Sequence, residues 1–144
     1  MPVLILGLVL IFMALLTPSA GFADEESVVL VAHPAVGTST LNRDTARAIF
    51  AMRQRTWPDG QAARVFVLPN DHPVHARFAK ELLAVYPHQL QLSWDRLVFS
   101  GTGQAPTRVF SQSEMLERIA DTPGGLGYLE REHLDDRVQV ISME

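Results

Sequence analysis

Within five residues, Asp71-His72-Pro73-Val74-His75 sets a carboxylate and two imidazoles, and Arg77 follows two positions on. At i and i+3 the histidines can share one helix face, which is metal-ligand spacing. The same residues have a second use, in which Asp71 caps a helix opened by Pro73 while the imidazoles and Arg77 stay solvated. Three consecutive hydroxyls, Thr38-Ser39-Thr40, can either donate to an oxyanion or shape a turn and the helix start after it. Ser100-Gly101-Thr102-Gly103 is a third candidate, a rim loop. It is not a dinucleotide fingerprint, because it follows a predicted helix rather than a strand and lacks the third glycine. The candidate ligand-binding set is therefore Thr38, Ser39, Thr40, Asp71, His72, His75, Arg77, Ser100, Gly101 and Thr102. No catalytic residue, metal or cofactor is assigned.

Elements must exist to hold these groups. The chain has 144 residues, enough for one domain with a real core. A net charge of −4 lacks the basic excess of a nucleic-acid surface. With no cysteine, disulfides, thiolate metal sites and thiol catalysis are excluded. There is no G-x-S-x-G elbow, HExxH helix or Walker loop, so the expectation is a protein that is not an enzyme.

Residues Pro2 to Phe22 are almost wholly apolar, with Pro18 and the small residues Gly21 and Ala23 preceding Asp24. The pattern predicts a signal peptide over 1–23, cleaved after Ala23, and a periplasmic or secreted domain over 24–144. If the segment is retained, it becomes the chain's membrane anchor.

Ser27 to Ala32 is a continuous apolar, β-branched run, as expected of a strand buried on both faces and central in its sheet. Asn42 is set to cap a helix with Ala46, Ile49 and Phe50 inward. Arg64 to Leu68 reads as a second strand. A helix capped by Asp71 or Asn70 follows, reaching Val85 with Phe78, Leu82 and Val85 on one face. Pro87 to Phe99 is a further helix with Leu90, Trp94, Leu97 and Val98 inward. Ser111 or Ser113 caps a helix that buries Met115, Leu116 and Ile119. Leu126 to Leu129 and Val138 to Ile141 are the last strands, separated by a helical turn. Alternating strands and helices predict an α/β three-layer sandwich with a mainly parallel central sheet. Its ligand edge is expected beyond the carboxyl ends of the strands, with the loops Pro34–Thr40 and Pro69–Val74 on it.

Leu41 and Phe50 followed by Trp57-Pro58-Asp59-Gly60, then Phe78 in a helix, then Trp94, Phe99, Gly101, Gly103 and Pro106, then Thr122-Pro123-Gly124-Gly125-Leu126-Gly127-Tyr128, form an ordered series. In that order and spacing the chain resembles the second lobe of the phosphate-binding periplasmic proteins of ABC transporters, and most of all their short, single-lobe PstS-like relatives. The resemblance covers nearly all of Val28 to Ile141. It implies one lobe of a type 2 periplasmic binding protein, a fold whose full-length members clamp an oxyanion between two lobes. The chain departs from the pattern at the clamp. The family's Arg and its Ser-Gly-Thr signature would fall near Leu68 and on His72, Pro73 and Val74.

Two functions follow. One is an exported substrate-binding-like domain holding phosphate or another small oxyanion for transport or sensing, with an ABC transporter as partner. The other is an envelope interaction or accessory protein that has lost ligand binding and uses a protein partner to cover the face of the missing lobe.

Overall fold

The computed structural model describes residues 27–144. The segment 1–23, for which the sequence predicts a signal peptide, lies outside them. Among the described residues no helix is long and apolar enough to cross a membrane.

Six strands make one sheet: β1 (Val28–Ala32), β2 (Thr40–Leu41), β3 (Arg64–Val67), β4 (Thr107–Arg108), β5 (Gly125–Glu130) and β6 (Gln139–Met143), in the spatial order β2-β6-β1-β5-β3-β4. β1 is central and buried along its whole length, as its unbroken apolar run requires. It pairs antiparallel with both β5 and β6, while β2 with β6, β5 with β3 and β3 with β4 are parallel. Five strands therefore share one direction and the sheet is mainly parallel.

The reversed β1 changes the loop geography expected from the sequence. The chain leaves β1 at Ala32, which pairs with Leu126 and Gln139 near the starts of β5 and β6. The Pro34–Gly37 turn is thus at the amino edge of the other five strands, opposite the Pro69–Val74 loop that leaves β3.

Side-chain alternation along β5 divides the two faces. Gly127 points at α4 (Gln112–Asp121), where a Cβ would lie 2.5 Å from Met115 Sδ and 2.7 Å from Ile119 Cδ1. Glycine is what lets this helix approach the sheet so closely. Tyr128 points to the other face and stacks on Phe78, with ring centroids 3.8 Å apart and 9° between planes. That face carries α1 (Arg43–Phe50), α2 (Pro73–Arg77) with its π-helical continuation Phe78–Leu82, and α3 (Pro87–Ser100). Trp94 of α3 donates its Nε1 hydrogen to Phe50 O at 2.8 Å, which binds α3 to the end of α1. Three layers result, with one helix on one side and three on the other.

The expected caps at Asn42 and Ser111 form, each side chain accepting the amide three residues on. Three details differ from the sequence reading. His72, not Asp71 or Asn70, caps α2: it directly precedes Pro73, which forces it into the extended conformation of a cap (φ −74°, ψ 129°), and its Nδ1 accepts from Val74 N. The helix changes to π geometry at Phe78 and ends at Leu82, short of Val85. On α3, Leu90 and Trp94 are buried, but Leu97 is only half-buried and Val98 is 49% exposed.

Candidate functional site

β3 delivers the chain to the carboxyl edge. The Leu68 amide donates to the Tyr128 hydroxyl at 2.8 Å, and the Val109 amide donates to Val67 O at 2.9 Å. The loop then turns through His72 N to Pro69 O, and Asn70 Nδ2 donates to Gln91 Oε1 on α3. Asp71 at the tip is exposed.

His72 and His75 do not converge on a common ligand. The Nδ1 of His72 is occupied by the Val74 amide. His75 is fully buried, ringed by Phe78, Trp94 and Tyr128, and its Nδ1 is hydrogen-bonded to the Tyr128 hydroxyl. With the Leu68 amide accepted, donation of the hydroxyl proton to His75 Nδ1 is the arrangement that leaves the fewest buried polar groups without a partner, and it assigns the neutral tautomer protonated at Nε2. Among the described residues, Nε2 has no partner. Burial above all, then the positive charge of Arg108 and the neighbouring His72, lowers the His75 pKa to about 4. Burial likewise raises that of Tyr128, against the lowering effect of the Leu68 amide.

Arg77 Nη1 donates to Glu130 Oε2 at 3.1 Å, and its Nε lies 4.0 Å from Glu81 Oε1. The other Glu130 oxygen accepts from Gln112 Nε2, whose Oε1 in turn accepts the Glu130 amide, each at 2.8 Å. Arg77 thus joins α2 to the end of β5 and the start of α4. Among the described residues, Glu130, Glu132 and His133 bring possible metal-ligand atoms within 4.8 Å of one another. The Glu130 oxygens, however, already accept from Arg77 and Gln112.

The remaining candidates lie elsewhere. Thr38 to Thr40 climb the outer side of β6, where Ser39 O accepts from the Ser142 amide and Thr40 pairs with Ser142. That edge is four strand spacings from β3, roughly 19 Å. Ser100, Gly101 and Thr102 lie at the amino edge, where the Ser100 and Thr102 hydroxyls bond each other at 2.7 Å and Arg55 Nη2 donates to Thr102 O at 2.6 Å. The ten candidates therefore fall into three separate places.

Sequence reasoning did not find the buried His75–Tyr128 pair, nor Arg55. The spacing of 53 residues between His75 and Tyr128 carries no periodicity to read. Arg55 sits between elements, in a stretch without pattern.

A mainly parallel sheet with a reversed central strand, three helices on one face and one on the other is the fold of a substrate-binding-protein lobe. The chain superimposes on an ABC-type phosphate transport receptor from Vibrio cholerae with a TM-score of 0.63 and 15% identity, over 81% of this chain and 45% of that one. A putative phosphate ABC transporter substrate-binding protein from Clostridium perfringens, solved with bound phosphate, gives 0.62 and 12%, over 81% and 44%. PstS from Borrelia burgdorferi gives 0.60 and 10%, over 82% and 47%. The chain thus spans a little under half the length of these proteins, one lobe of each. No protein-family model matches the sequence, and no curated protein matches it.

Proposed function

We propose that the protein is an exported substrate-binding-like domain that takes a small oxyanion, phosphate first, for transport or sensing, with an ABC transporter as a partner. The observation that carries the reading is the fold shared with phosphate-binding transport proteins over 81–82% of this chain. α1, α3 and α4 start toward the carboxyl edge, and Arg77 stands there, so the helix dipoles and the guanidinium favour an anion on that side, against the Asp71 carboxylate at the loop tip. An anion at Arg77 has to compete with Glu130 for the guanidinium, which makes a weak, exchangeable site the expectation. The test is thermal melting of the purified protein against phosphate, sulfate and chloride. A native-state ligand raises the midpoint with its concentration. A phosphate-dependent rise that Arg77→Ala abolishes is the expected result; no shift with any oxyanion defeats the reading.

One observation favours an accessory role in the envelope instead. Phe99 and Phe110 are 87% and 71% exposed, and Leu92 adds a further exposed apolar side chain on α3. Large apolar groups held in water are what a protein partner covers.

A further inference from the structure

We propose that the amino edge holds a second, separate site: a cleft that binds a small organic anion through Arg55. The cleft encloses about 450 Å³ and is lined by Met52, Gln54, Arg55, Val65, Thr102 and Gln104, among others. That volume lies in the range of small-molecule sites, and it holds far more than an inorganic ion. Met52, Ala63 and Val65 give the lining an apolar part, and amide, hydroxyl and guanidinium groups from Gln54, Gln104, Thr102 and Arg55 stand beside it. The match is to a compound with one carboxylate or phosphate-monoester group on a short apolar body.

Charge decides the sign of the ligand. The Arg55 guanidinium makes one hydrogen bond, to Thr102 O, and among the described residues no carboxylate lies within ion-pair distance of it. α1 and α3 both end at this edge, and open helix C-termini would repel an anion. Here most of their last carbonyls are taken. Arg53 N and Gln54 N both donate to Ala48 O, Met52 N donates to Ile49 O, and Thr102 N and Gly103 N both donate to Leu97 O. With the helix ends largely covered, the guanidinium is the one full charge among the residues lining the cleft. Its position is also set by its neighbours. A Cβ on Gly103 would stand 2.9 Å from Arg55 Nη2 and 3.2 Å from Leu97 Cβ, so only glycine at 103 lets the guanidinium lie where it does.

The experiment is ¹⁵N–¹H NMR titration of the protein with phenyl phosphate, benzoate, benzyl alcohol and inorganic phosphate. Phenyl phosphate or benzoate is expected to shift the amides of 52–55 and 101–104, the stronger of the two identifying the headgroup, with benzyl alcohol silent. Arg55→Ala should weaken binding about tenfold or more, the loss of a charge-assisted contact. Gly103→Ala, which keeps the charge but displaces it, should weaken binding too, and Arg43→Ala should leave it unchanged. Arg55→Lys covers the case in which Arg55→Ala does not fold. Inorganic phosphate shifting 69–77 while the organic anions leave 52–55 and 101–104 unmoved would uphold the phosphate reading and overturn this one. Shifts at the cleft with the organic anions alone would do the reverse, and no shifts at all would overturn both.

Discussion

The Tyr128 hydroxyl stands between two groups far apart in sequence, accepting the Leu68 amide at 2.8 Å and donating to Nδ1 of the buried His75. It ties the end of β3 to the first turn of α2 from the middle of β5. The carboxyl-edge loop between Leu68 and His75 is thereby pinned at both ends by one side chain.

Tyr128→Phe keeps the ring stack on Phe78 and removes only the oxygen. Two buried polar groups then lose their partner, the Leu68 N–H and His75 Nδ1. The expected cost is about 1–3 kcal/mol, since an unsatisfied buried group loses its full desolvation energy. Urea denaturation measures it, and a midpoint equal to wild type would show that the bridge contributes nothing.

His75 makes stability depend on pH. Its folded pKa, lowered to about 4 by burial first and by Arg108 and His72 after it, lies below the unfolded value near 6.5. Between those values the unfolded chain binds the extra proton. The contribution of neutral His75 is therefore complete above about pH 6.5, declines as the pH falls, and is gone near pH 4. The total is on the order of 3 kcal/mol. The difference in denaturation midpoint between wild type and His75→Leu should shrink across that window; a difference constant with pH would refute the assignment.

Much of this fold is legible in the chain because it rests on local patterns. The apolar run of Val28–Ala32 specifies a central strand, and Asn42 and Ser111 mark their helices by cap chemistry. Strand direction is not local. Nothing within Val28–Ala32 says that it runs against its neighbours, and that reversal sends Pro34–Gly37 to the opposite edge from Pro69–Val74. The two-residue strands β2 and β4 are too short for a period to show. His75 illustrates the same limit for sites. Beside Asp71 and His72 it reads as a polar helix start, yet Pro73 sets the helix phase so that His75 faces the aromatic core, where only a tyrosine from another strand gives it a partner.

Gly127 measures how tightly α4 is packed. In Gly127→Ala the added methyl meets Met115 Sδ and Ile119 Cδ1 at 2.5 and 2.7 Å, so α4 or its side chains must shift. Overpacking of this kind costs typically about 1–3 kcal/mol. Because the clash is with the flexible end of Met115, the double variant with Met115→Ala should cost less than the sum of the two single changes, a coupling that touching residues show. Simple additivity in thermal or urea unfolding would mean that the helix moves as a body instead.

Arg77 and Glu130 are both members of one bridge, but they are not equivalent. The Arg77 side chain is 36% exposed, and water can replace Glu130 as its partner, so Arg77→Ala should cost no more than about 1 kcal/mol. The Glu130 side chain is 15% exposed and accepts from Gln112 as well as Arg77. Removing it strands the Gln112 amide, which is itself buried, at the junction of β5 and α4. Glu130→Ala should therefore cost about 1–3 kcal/mol and loosen the start of α4. Hydrogen exchange at the amides of Ser113 to Leu116 reads the second effect directly: faster exchange in Glu130→Ala than in Arg77→Ala is expected. Equal exchange in the two variants would place the stabilising contact in the ion pair rather than in Gln112.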